Sequence, residues 1–124
     1  MSSMARALTG ENMTFDLEAQ IAELRSDEGY TRSGRVGRTL IKAGPFRLTL
    51  TVVADGVDIG THHAVAPMTL QPIEGGVRYT VDGTPFEVSR GDVLFFGPGH
   101  AQDIRAQGDT ALLLTIATDG EGAA

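Results

Sequence analysis

The sequence predicts an all-β fold, a sandwich or small barrel preceded by one short helix, and three observations carry that reading. Phe46, Leu48, Leu50 and Val52 alternate with Arg47, Thr49, Thr51 and Val53, the two-residue period of a strand with one apolar face. Val77, Tyr79 and Val81 repeat the pattern and lead into Asp82-Gly83, a pair that tolerates the left-handed backbone of a two-residue hairpin turn, before Phe86 and Val88. The chain also carries 16 glycines, which supply turns at short intervals. Closing such strands into a barrel removes edges that would otherwise pair with other chains.

In chain order, residues 1–13 are expected to be flexible. Over 14–28 an amphipathic helix is expected: Leu17, Ile21 and Leu24 recur at helical spacing behind Phe15, and Gly29 is placed to stop it. A helix this short is unstable alone, so its apolar stripe must pack on the barrel or on a second subunit. The barrel is expected over 30–117, with strands at 38–42, 46–53, 68–73, 77–81, around Phe86 and Val88, at 93–96 and at 111–117. Pro72 has no N–H to give to a ladder, so it marks an edge, a bulge or a strand end. The polar, glycine-rich stretch 118–124 is expected to be a flexible tail.

A chain of 124 residues is one domain by length and can build one core without staples. The absence of cysteine excludes a disulfide framework, a thiolate metal site and a cysteine nucleophile. The net charge of -6 argues against a nucleic-acid binder, which would concentrate positive charge against phosphates. Arg32, Arg35, Arg38 and Lys42 do cluster, yet they are interleaved with glycines rather than stacking aromatics, and read as solvated loop and strand-edge charges. No apolar run has the length to cross a bilayer and the first residues lack a secretory core, so no membrane contact and a cytoplasmic location are expected.

The chemistry-bearing residues concentrate between Gly56 and Gln102. Gly56 is followed by five residues and then His62 and His63; Gly75 closes that segment, and a second begins at Gly91-Asp92 and reaches Gly99 and His100. This spacing resembles the two motifs of the cupins, in particular the small RmlC-like members with one conserved barrel, over about 38–117. The resemblance implies a double-stranded β-helix, or jelly-roll barrel. It also implies four metal-ligand positions, and these are occupied here by His62, Ala64, Met68 and Gln102. Alanine has no donor atom and a thioether is a soft, weak ligand for the metals such sites hold. Gly97 and Ala106 stand where the second motif usually has proline and asparagine. The expectation is therefore a barrel without the usual metal. The alternative is a rearranged iron, manganese, nickel or zinc site using His62, His63, His100 and Gln102. Adjacent His62 and His63 can share one ion only if the strand bulges, since neighbours point to opposite faces.

A small barrel can hold one small molecule between apolar walls and a few polar groups. Phe46, Leu48, Leu50, Val77, Tyr79, Phe95 and Phe96 are the wall or core candidates, and parity alone leaves open which face looks inward. His62, Gln71, Tyr79, His100 and Gln102 are the ligand-binding candidates, with Gln71 placed three residues beyond Met68, where it can also face outward. The expected function is binding of a small organic ligand without metal. Two alternatives are kept: a dioxygenase or isomerase on the rearranged metal site, and metal-free acid-base catalysis by His62 or His100. A homodimer is expected. No nucleophile elbow, phosphate-binding loop, dinucleotide fingerprint or HExxH is present.

Overall fold

The computed structural model describes residues 12–60, 66–96 and 103–117. The expected flexible tail at 118–124 and all but the last two residues of the expected flexible N-terminus lie outside that range.

Helix α1 spans Leu17–Arg25 and α2 spans Glu28–Ser33. The single helix expected over 14–28 is thus shorter and is followed by a second one. Asp16 begins the first by accepting a hydrogen bond from the Ala19 N–H at 3.1 Å. Asp27, which a continuous helix would have absorbed, instead caps the second, accepting from the Gly29 N–H at 2.7 Å. Gly29 therefore lies inside a helix, and the stop is Gly34, whose φ of 79° is the left-handed conformation that ends helices.

Seven strands follow: β1 Arg35–Ala43, β2 Phe46–Val53, β3 Asp58–Gly60, β4 Met68–Val81, β5 Thr84–Ser89, β6 Leu94–Phe96 and β7 Asp103–Ala117. All pairings are antiparallel. Asp82 and Gly83 both take positive φ, 48° and 80°, so the β4–β5 hairpin turns where the sequence places it. Three strands are longer than expected, β1 covering Arg35–Ala43 where 38–42 was expected. β4 runs straight through Pro72, with register shifts immediately after it that absorb the missing donor. β7 starts at Asp103 rather than near 111, because Ile104 and Ala106 already alternate with exposed Asp103, Arg105 and Gln107.

β4 and β7 are each shared by two halves of the sheet. Their outer segments pair residues 68–74 with 111–116, flanked by β2, β1 and β6; their other segments pair 76–80 with 103–107, flanked by β3 and β5. The bend lies at Gly75-Gly76 opposite Gly108. Gly75 has φ 71°, and a Cβ there would stand 2.5 Å from the Asp109 carbonyl oxygen and 2.6 Å from the Thr110 hydroxyl. Thr110 is fully buried; its hydroxyl accepts from the Gly76 N–H at 3.3 Å and faces the Gly76 and Gly108 carbonyls at 2.9 Å each. Asp55 and Asp109 tie the β2–β3 loop to the same corner, each carboxylate taking a backbone N–H of the other segment. Thr110→Val keeps the shape but leaves a buried N–H unpaired, and is expected to cost about 2 kcal/mol in urea unfolding.

The bend makes two apolar layers. Val53, Ile59, Leu70, Val77, Val88, Ile104, Ala106 and Leu112 meet between the facing halves. Ile21, Leu24, Leu40, Leu50, Val52 and Ala111 form the second layer, where the helices cover the outer face of the first half. The helix stripe is buried on its own barrel, one of the two seats expected for it. Ion pairs fix its seat: Arg25 to Glu74 and Arg38 to Glu23, each at 2.8 Å. Burial pushes the Arg25 guanidinium down, but Glu74 and Tyr30 outweigh it and raise its pKa. The charged form of Arg25 thus persists at every working pH.

Candidate functional site

Residues directly opposite one another in an antiparallel pair project to the same face, so the register traces the barrel interior residue by residue. Leu112 and Leu114 face inward, in or against the interior cluster. Their partners on β2 are Thr51 and Thr49, and the partner of Ile116 is Arg47. On the other side the same three residues meet Pro72, Leu70 and Met68 of β4. β1 extends these rows with Gly37, Thr39 and Lys42, opposite Thr51, Thr49 and Arg47.

The inner face is consequently divided. β4, β6, β7 and the second half supply an apolar wall, while β1 and β2 supply a polar strip of Thr39, Lys42, Arg47, Thr49 and Thr51. Arg47, Thr49 and Thr51 are half-buried; Gly37, Thr39 and Lys42 are exposed, so water reaches the strip along the β1 edge. Arg35 closes the seam at the corner end of that edge, its Nη1 donating to the Ile59 carbonyl and, at 3.4 Å, to that of Asp58.

The register decides the face that parity left open on β2. Leu48 and Leu50 are core residues under the helices and not in the barrel interior, while Phe46 on the same face is 42% exposed. Phe95 also leaves the wall set: it pairs with Thr69, which shares a face with Thr115 and Leu48, and is 64% exposed. Val77 is in the interior cluster and Tyr79 packs against it. Phe96 pairs with Met68 in β6. The signal that would have turned β2 the right way was available: an amphipathic helix needs an apolar sheet face to cover, and Leu48, Leu50 and Val52 were that face.

Of the ligand-binding candidates, Tyr79 stands on the inner face, opposite Ile104 and Phe86. Gln71 does not: it is exposed and pairs with Leu113, which packs in the helix-side layer, so its side chain is directed away from the interior. His62, His63, His100 and Gln102 lie outside the described residues. The segments that carry them connect Gly60 to Met68 and Phe96 to Asp103. The basic cluster also divides, with Arg38 turned to the helix and Arg35 to β3.

Met68, where the cupin pattern has glutamate, packs with Leu70 and Leu94 against the interior cluster and offers no hard donor. Ala106, at the asparagine position, is buried in the same cluster. Among the described residues no three histidine, cysteine or acidic side chains gather as a metal site. Nor is any described helix long and apolar enough to cross a membrane.

An antiparallel sheet folded on itself by two shared, bent strands defines a jelly-roll barrel. Solved structures give the particular kind. An RmlC-like cupin from Shewanella frigidimarina superposes with a TM-score of 0.64 at 17% identity, over 74% of this chain and 83% of its own. A cupin superfamily protein from Desulfitobacterium hafniense does so with a TM-score of 0.63 at 18% identity, over 68% and 78%. Salicylate 1,2-dioxygenase from Pseudoaminobacter salicylatoxidans reaches a TM-score of 0.71 at 12% identity, over 83% of this chain but 32% of that longer one. The protein has the cupin fold. No family model and no curated protein matches the sequence.

Proposed function

We propose that the protein binds a small organic molecule between the two halves of its barrel without the metal usual to the fold. The observation that carries this is the divided interior: an apolar wall facing a polar strip that opens along β1. That is the composition of a small-molecule site, where apolar surface gives affinity and a few polar groups give orientation. Tyr79 belongs to the ligand set, and His62, His100 and Gln102 are assigned to it from the sequence. The dioxygenase fold neighbour, solved in complex with gentisate, is an instance of a small organic molecule held by a protein containing this fold. Fold similarity does not transfer its reaction. Pairing of two copies is part of the proposal, supported by exposed Phe46 and Phe95 on the outer face.

Protein purified without chelator is expected to show a bound organic molecule by native mass spectrometry and substoichiometric metal by plasma mass spectrometry. Near-stoichiometric iron, manganese, nickel or zinc that disappears in both His62→Ala and His100→Ala would replace this reading with a metal-dependent enzyme.

A further inference from the structure

We infer that Lys42 and Arg47 seat an anionic group of the barrel's ligand, which makes that ligand a small organic acid: carboxylate or phosphate oxygens carried on an apolar body. This deepens the ligand-binding proposal and rests on it. The two residues are direct cross-strand partners, so two cations leave one face of the β1–β2 ribbon side by side. Like charges in that position destabilise a sheet.

Nothing described in the chain relieves the pair. Of the other cations described, Arg25, Arg38, Arg78 and Arg105 each pair with a carboxylate and Arg35 with the β3 carbonyls, while Arg32 on α2 and Arg90 after β5 are exposed. Neither Lys42 nor Arg47 has such a partner among the described residues. Their row continues across the inner face through Ile116 and Met68, neither of them acidic. In a chain of net charge -6, positive charge gathered on the inner face without a carboxylate beside it among the described residues leaves room for an anion from outside.

The surroundings fit such a guest. Arg47 is half-buried, and its planar guanidinium suits bidentate charge-assisted bonds to a planar oxyanion. Exposed Lys42 adds a second, mobile donor at the entrance. Beyond them the same face is apolar through Met68, Leu70 and Leu114, where an aryl or alkyl body would lie.

The test is calorimetric titration of the full chain with benzoate, phenyl phosphate and the neutral benzamide, at low and high salt. At least one acid is expected to bind roughly tenfold tighter than benzamide, with the gap shrinking in high salt; the tighter acid identifies the anionic group. Arg47→Gln should abolish the gap, Arg47→Lys should retain part of it, and Lys42→Gln should narrow it. Ligand-free Arg47→Gln should melt at or above the parent temperature in low salt, because repulsion within the pair is relieved. A marked fall in melting temperature would instead assign Arg47 a structural role and overturn the inference. Equal affinity for acids and amide overturns it too, while leaving small-molecule binding intact. Absence of all three interactions ends the inference, and together with an empty native mass spectrum ends the functional proposal as well. The chain's own acids at Asp119 and Glu121 are the competing occupant: a roughly tenfold gain in acid affinity on changing both to amides would give them the site.

Discussion

Gly75→Ala is expected to cost about 3 kcal/mol or more, read as a lower urea midpoint with an unchanged slope. Two penalties combine. The residue has φ 71°, where any side chain is strained, by about 1 to 2 kcal/mol. The added methyl group would also stand 2.5 Å from the Asp109 carbonyl oxygen, and backbone cannot swing aside as a side-chain tip does. Gly44→Ala is the matched control: φ is 59°, yet nothing lies within 4 Å of the new Cβ. It should show only the conformational penalty. Equal losses at the two sites would mean that the corner yields, and that the close approach of β4 to β7 is not what holds the bend.

Leu24→Ala is expected to cost about 3 kcal/mol, within the range for truncating a buried leucine. Leu24 is 2% exposed and sits between α1 and the outer face of the first half. α1 has nine residues and cannot persist without this contact. The loss should therefore appear as early hydrogen exchange over 17–33 together with lower global stability. Glu23→Gln, which removes the carboxylate paired with Arg38, should by contrast cost at most about 1 kcal/mol, because Glu23 is exposed. A small effect of Leu24→Ala would show that the barrel closes without its helical cover.

The architecture was legible where local chemistry dictates it. The β2 alternation and the Asp82-Gly83 turn both survive in the structure. Gly75 in particular closes a sequence motif for a physical reason, since only a residue without Cβ fits against Asp109 and Thr110. Illegible features were those settled by a distant partner. Which face of β2 looks inward depends on a helix some 20 residues away in the chain, and alternation alone left that face open. The break at Ser26-Asp27 depends on one side chain that serves equally well inside a helix or as its cap. The continuation of β7 through 103–110 was hidden because glycine at 108 and aspartate at 109 resemble a loop when the corner they turn is unknown. Of the ligand-binding candidates, Tyr79 lies on the inner face and Gln71 on the outer one, a difference that strand register decides, and the histidines lie outside the described residues.

β7 has a further consequence, for how the chain is made. It lies between β2 and β4 and also holds β3, so it joins the β1–β2 ribbon to the β4–β5 ribbon. A polypeptide leaving the ribosome has β1–β2 and β4–β5 as local hairpins long before β7 is available. Isolated two-stranded hairpins are marginal in water. During most of translation the nascent chain therefore holds apolar strands with no centre to assemble on, and its protection from aggregation must come from chaperones or from speed. Messages truncated before codon 103 should give only degraded or insoluble product, however much of the barrel they encode.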